Sequence, residues 1–487
     1  MSCLKCAKHG SIAWHTGASP ADDIGSPIPD NGPKAYEISQ PTDSSPIRLL
    51  PGSLAWCLPY TFLRTRNEDE LRLRAILILA IIAISASAQT PELRVSLREL
   101  TGEATKNNPD IAAAQKRYEA ARQRPTQESS LPDPMVSLGY NSVGNPLPGA
   151  GLGRDELANL GLMVSQEIPA PGKLKLKGDM ASKEAQAEFQ QYQTVQLVVI
   201  SRLKQAYYRL QNTYAATDLL IRNRDLLEKL LQVTEDRYSV GRAAQQDVFK
   251  AQTQVSILET RLVKLEQERK SRAAEINSIL NRAAGTPIGR PEDVKPKELT
   301  ATLEELFAAA RQNSPMLGRD RKMIERSELA VNMARKEYYP DVTLNAGYYF
   351  MGGMPPMYEV RADFKVPVYF WRKQRAGVSE QVSNLSQSRR TYEATDQSLR
   401  YQIQDDFLMA QSSARLMKLY TQTVVPQGNL ALESSLSTYE TGSVDFLSVL
   451  SNFTMVLDYE MNYYDEAMNY ALALSRLEQM TGQALTD

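Results

Sequence analysis

From about residue 90 onward, apolar positions recur in two rhythms, one helical and one alternating, and the two follow each other in the same order twice. The first copy opens over residues 96–123 with a periodic helix, the dipeptide Asn108-Pro109 and a second helical run. The second copy opens the same way over residues 302–338, around Ser314-Pro315. Proline suits the first turn of a helix, and Asn or Ser suits its cap. Two short alternating segments come next. In the second copy, Val342, Leu344, Ala346, Tyr348 and Phe350 share one face of a strand, as do Tyr358, Val360, Ala362, Phe364 and Val366 on the following one. Glu359, Arg361, Asp363 and Lys365 occupy the opposite face of that second strand. The Gly- and Pro-rich residues 351–357 read as the hairpin connection. In the first copy Val136, Leu138 and Tyr140 alternate, then Leu160, Leu162, Val164 and Ile168, across a longer connection. The pattern predicts β-hairpins at about 134–168 and 341–367.

Each hairpin ends in proline, Pro169 or Pro367, and a long helical region follows, over about 173–238 and 372–439. The first contains no proline and only Gly178; the second contains Gly377, Gly428 and Pro426. A helix of some 65 residues is roughly 100 Å long, the scale of a coiled coil or a tunnel wall. Both regions break at a Tyr-x-x-Gly sequence, Tyr238 to Gly241 and Tyr439 to Gly442, where glycine can end the helix in the left-handed conformation. Returning helices are predicted over 244–284 and 446–480. The chain is therefore expected to comprise two repeats, 89–295 and 296–482.

The first 90 residues differ. Residues 18–56 are rich in Pro, Gly, Ser and Asp, as in disordered chain. Residues 71–88 place arginines before a short apolar run and end in Ala86-Ser87-Ala88, the layout of an export signal, with the mature chain starting near Gln89. Residues 1–70 are then a disordered leader, or the true start codon lies downstream of the assigned one. Cys3, Cys6 and Cys57 all precede Gln89, so no lipid-bearing cysteine is expected at the cleavage point, and Cys3-x-x-Cys6 has no second pair to complete a zinc site.

Composition removes several function classes. The 487 residues carry a formal net charge of −1, without the basic footprint of nucleic-acid binding. The two histidines, His9 and His15, also precede Gln89, which leaves no His- or Cys-based catalytic constellation and no expected cofactor.

Four strands with an apolar face cannot close a membrane barrel alone, and lipid tolerates no open sheet edge. Three chains would supply twelve strands, an even number in the outer-membrane range. Tyr348, Tyr349, Tyr358, Tyr369 and Trp371, near the strand ends, would suit an aromatic belt. A soluble mixed fold is the alternative.

The order, spacing and duplication of these features resemble the TolC-like outer membrane efflux protein family over about residues 97–482. The resemblance rests on the two Asn/Ser-Pro helices, Pro132 and Pro340 opening the strand pairs, the hairpin ends Gln-Glu-Ile-Pro169 and Phe-Lys-Val-Pro367, and the two Tyr-x-x-Gly turns leading to Val248-Phe249 and Val449-Leu450. The sequence is also similar to the branch containing heavy-metal and cation efflux ducts. The resemblance implies a mixed α/β membrane protein: a homotrimer with a 12-stranded transmembrane β-barrel in outer-membrane lipid, four strands per chain, continuing into a periplasmic α-helical barrel. Its implied partners are a periplasmic adaptor protein and an inner-membrane pump of the resistance-nodulation-division type. Lipid anchoring, common in the family, is not expected here.

On this reading Glu359, Arg361, Asp363 and Lys365 line the lumen, and Val360, Ala362, Phe364 and Val366 face lipid. Tyr238, Gly241, Tyr439 and Gly442 form the adaptor-contacting turns. Asp247 and Asp445 border the periplasmic aperture, although Asp445 equally suits a helix cap. Tyr401, Tyr420, Tyr463 and Tyr464 are expected to pack helix on helix. Met351, Met354 and Met357 could contact a soft metal or serve as adaptable apolar residues. The same fold could serve type I protein or peptide secretion, or the chain could be a structural periplasmic coiled coil.

Overall fold

The structure is a computed structural model and describes residues 94–144, 146–293 and 297–485. The leader, export-signal, cysteine and histidine readings lie outside these residues.

A two-residue strand, β1 (Arg94–Val95), precedes helices α1 (Leu97–Asn107), α2 (Pro109–Ala121) and α3 (Arg124–Ser129). Asn108 caps α2, its side chain accepting from the backbone N–H groups of Asp110 and Ile111. Strands β2 (Met135–Asn141) and β3 (Asn159–Ile168) form the first hairpin. Helix α4 (Lys173–Ser239) runs for 67 residues without a break, and α5 (Gln245–Ile279) returns along it. The short strand β4 (Arg290–Pro291) pairs in parallel with β1.

The same order then recurs as α6 (Leu303–Asn313), α7 (Pro315–Lys336), β5 (Asp341–Met351), β6 (Met354–Lys365), α8 (Lys373–Leu419), α9 (Val425–Thr441) and α10 (Phe446–Thr481). Thr302 and Glu305 form a capping box at the start of α6. Ser314 occupies the cap position of α7 but makes no side-chain hydrogen bond there. A π-helical segment, Tyr420–Val424, separates α8 from α9, immediately before Pro426. Proline lacks an N–H and crowds the preceding turn, which accounts for the altered bonding at this point.

The four main strands form one antiparallel sheet in the order β2-β3-β5-β6, so β3 and β5 join the two hairpins while β2 and β6 remain as edges. The connection expected over 351–357 is shorter than its Gly and Pro content suggests, because β5 extends to Met351 and β6 begins at Met354. Pro355 and Pro356 together stand opposite Phe350, in a one-residue register shift. An edge-strand bulge accommodates residues that cannot donate to the ladder.

Three apolar clusters hold the helices together. One gathers Leu203, Tyr207 and Ile276 with Leu97 and Leu100. A second joins Leu317, Leu399 and Ile403 to Leu474 and Leu477. The third lies toward the turns and contains Leu220, Leu227, Leu258, Phe446, Val449 and Phe453. Among the described residues, no helix is long and apolar enough to cross a membrane.

Candidate functional site: a two-faced sheet and a paired helical tip

The sheet is apolar where it is exposed. Leu138 and Val360 are 78% and 88% exposed, and Leu160, Leu162, Val164, Leu344, Tyr348, Phe350 and Phe364 are also exposed. They share one face, because paired residues point the same way and residues two apart on a strand repeat. The polar face is the more sheltered one, with Asn345 only 5% exposed. Ordinary soluble sheets bury the apolar face; this one presents it across all four strands.

A hydrogen-bonded row crosses the polar face. The Ser165 hydroxyl donates to Asn345 Oδ1 at 2.5 Å, and Asn345 Nδ2 donates to Asp363 at 2.8 Å. The Arg361 guanidinium spans Asp363 and Glu359, at 3.2 and 3.3 Å, and the Tyr349 hydroxyl donates to Glu359 at 2.5 Å. Glu359, Arg361 and Asp363 thus fall together on one face, with Lys365 in register at its end opposite Asp341. Val360, Ala362 and Phe364 occupy the other, while Val366 lies just past the end of β6. Tyr349 is a correction to the aromatic belt: its alternation and its bond to Glu359 place it on the polar face. Tyr348 and Tyr358 pair on the apolar face, with ring centroids 5.5 Å apart.

The helical turns form the second site. Gly241 has φ +73° and Gly442 φ +81°, the left-handed conformation that the Tyr-x-x-Gly spacing predicts. The same two bonds close both turns: Gly241 N–H to Tyr238 O with Arg242 N–H to Arg237 O, and Gly442 N–H to Tyr439 O with Ser443 N–H to Thr438 O. These are Schellman-type ends.

Arg237, which the sequence reading missed, ties the turns together. Its Nη1 donates to Tyr439 O at 2.7 Å and Glu440 O at 3.1 Å, the last carbonyls of α9, and its guanidinium lies 4.5 Å from the Tyr439 ring centroid. A cation at a helix C-terminus and over an aromatic face is favourable on both counts. Tyr439 in turn packs against Phe446 at 5.8 Å and is buried. Its ring therefore supports the turn and is not itself available to a partner, unlike Tyr238, which is 45% exposed. A cleft of about 550 Å³ between the turns is lined by Val233, Asp236, Arg237, Val240 and Glu440. Val240, Phe249 and Leu447 are also exposed here.

Asp445 caps α10, accepting from the Ser448 N–H at 3.3 Å and from its hydroxyl. The Ser448 hydroxyl holds this carboxyl below its usual range, so the cap is present through neutral and mildly acidic pH and is lost as pH falls through that lowered value. Asp247 sits in the first turn of α5. Tyr463 and Tyr464 pack edge to face at 5.3 Å, but Tyr401, expected to pack between helices, is 69% exposed because its position on α8 faces outward from the chain.

The outer membrane efflux protein family matches residues 100–282 and 306–483. The chain belongs to that family. As a member of the outer membrane efflux protein family it is a channel component with a periplasmic extension, and its work is conduction, not catalysis. It is 21% identical over 426 residues to Outer membrane protein TolC of Vibrio cholerae, covering 84% of this chain and 95% of that protein. Its fold is shared with the transmembrane channel CusC, at TM-score 0.69 and 15% identity, covering 79% of this chain and 91% of that one. It is likewise shared with the outer membrane protein VceC of Vibrio cholerae, at TM-score 0.67 and 17% identity, covering 80% and 96%.

Proposed function

We propose that three copies of this chain form the outer-membrane exit duct of a tripartite efflux system, passing small solutes such as metal ions or drugs. Each chain contributes four strands, so three contribute twelve, and each β6 edge pairs with the β2 edge of the next copy. The observation that carries this reading is the apolar face exposed along every strand of the sheet, with a hydrogen-bonded polar row behind it. In a closed barrel the first face meets lipid and the second lines a water-filled lumen.

Glu359, Arg361, Asp363 and Lys365 then line the channel. The two repeats, 89–295 and 296–482, supply the walls of the helical tunnel, and Tyr401 and Leu408, both exposed on α8, pack against a neighbouring copy. The paired turns form the periplasmic end. There Tyr238, Val240 and Phe249 offer apolar contacts to an adaptor, which connects the duct to an inner-membrane pump of the resistance-nodulation-division type. Asp247 and Asp445 border the opening, and the Arg237 latch keeps the two turns of each chain together in the resting state.

Single-channel recording in planar bilayers, with the oligomeric mass of the same sample, tests the assembly. A trimer with discrete conductance steps is expected. A monomer that never conducts would overturn the shared barrel.

A further inference from the structure

Three methionines lie within seven residues at the outer end of the second hairpin, Met351, Met354 and Met357. Strict strand alternation would put Met354 and Met357 on opposite faces. The register places them together. Met351 is the cross-strand partner of Met354, and Tyr349 is the partner of Met357. Tyr349 and Met351 are two apart on β5 and share a face. Because paired residues also share a face, all three methionines stand on the side of Tyr349. The bulge at Pro355-Pro356 makes this possible by inserting the residue that restores the phase.

We propose that these three thioethers form a binding site for a soft monovalent metal cation, Cu(I) or Ag(I). Thioether sulfur is a soft, neutral donor that selects such ions over hard ones. Among the described residues, no group of His, Cys, Asp or Glu is arranged to hold a metal, so a harder ion has no competing cluster. The surroundings suit a cation. Glu359 lies two residues beyond Met357 on the same face, its carboxylate oriented by the Tyr349 hydroxyl through one oxygen and shared with Arg361 through the other.

The site is also partly enclosed. Met351 and Met354 are half-buried, while Met357 is 46% exposed and leaves an entry side. The connection between β2 and β3 crosses the turn closely enough that a Cβ on Gly352 would stand 2.6 Å from the Gly153 nitrogen. The two backbones therefore approach too closely there for a side chain at Gly352. The site belongs to one hairpin and does not depend on how copies assemble.

The test uses the full chain in detergent micelles, labelled at its methionine methyl groups and titrated with Ag(I) in chloride-free buffer. Methyl resonances are assigned from single Met→Leu variants, since Leu conserves volume closely enough to keep the fold. Met351, Met354 and Met357 are expected to shift together and saturate at one Ag(I) per chain. Met316 and Met455, 42% and 44% exposed on helices, serve as isolated methionines and should not shift over that range. Met354→Leu removes one of the three donors and should weaken binding at the two remaining methionines by about tenfold or more, at least the scale on which metal affinity falls when only an outer-shell partner of a ligand is lost. If Met316 and Met455 shift in parallel with the three, or if Met354→Leu leaves the other two titrating unchanged, there is no shared site and the proposal fails.

Discussion

Asn108 and Ser314 occupy equivalent cap positions, yet the structure gives them unequal work. Asn108 is buried, caps α2 through its side-chain oxygen and donates from Nδ2 to the Ile279 carbonyl at 2.8 Å, near the end of α5. Asn108→Ala removes the cap and strands that carbonyl, and should destabilise the fold by about 1–2 kcal/mol. Ser314→Ala should cost only a few tenths. Thermal denaturation of the two variants side by side checks this, and equal losses would contradict the difference. Sequence alone identifies both as caps, because Asn or Ser before Pro is a local signal; which one bonds depends on what the fold brings near it. Arg361 is a second case. Its position among alternating charges was legible, but its place between Glu359 and Asp363 was not, since that requires the strand's twist and side-chain reach. The row Glu359, Arg361, Asp363, Lys365 sums to zero charge. Arg361→Gln leaves it at −1 per chain and should raise cation over anion permeability by on the order of twofold, read as a reversal potential under a KCl gradient. An unchanged reversal potential would place this row away from the ion path.

At the scale of elements, the long helices are the most legible part of the fold. The absence of proline predicts a helix over 173–238, and α4 runs Lys173–Ser239. The glycine turns were equally plain, since few residues other than glycine adopt the left-handed conformation found at Gly241 and Gly442. What the pattern did not give was the difference between the two long walls. Pro426 marked a disturbance, but the π-helical segment Tyr420–Val424 is a change in backbone bonding that side-chain periodicity does not encode. The Arg237 latch was hidden for a related reason: it joins residues about two hundred positions apart, and only the packing of both α4 and α9 against α10 brings the two helix ends together. Arg237→Ala removes two charge-assisted bonds and a ring contact. The latch should weaken by about 1–2 kcal/mol, which corresponds to a rise of about 5–30-fold in the open-to-closed ratio of the tip. Single-channel recordings should show longer open dwell times at unchanged unitary conductance. A fall in unitary conductance with no change in dwell times would assign Arg237 to the ion path and not to the latch.

For the whole molecule, the question is which side of the sheet the bilayer occupies, and one chain's exposure pattern already constrains the answer. A soluble sheet would cover Leu138, Leu162, Leu344 and Val360 with helices, but the helices of this chain pack on one another and leave that face open. The alternation in the sequence showed that two faces exist. It did not show which would be covered, because apolar side chains have the same period whether they face a protein core or lipid. Substitution distinguishes the two environments. Leu162 pairs with Leu138 and Tyr348 in the middle of the apolar face, whereas Thr343 points the other way, beside Glu167 and Asp363. An arginine on a lipid-facing strand near the bilayer midplane costs about 2–4 kcal/mol, while a lumen-facing one is tolerated and alters selectivity. Leu162→Arg should therefore sharply reduce the amount of assembled duct recovered from outer membranes. Thr343→Arg should assemble normally and shift ion preference toward anions. If the apolar face instead met another protein layer in water, Leu162→Arg would leave the chain soluble but unpaired, and its recovery from the membrane fraction would no longer separate it from Thr343→Arg. The comparison thus reads the orientation of the sheet directly, without requiring the barrel to be seen.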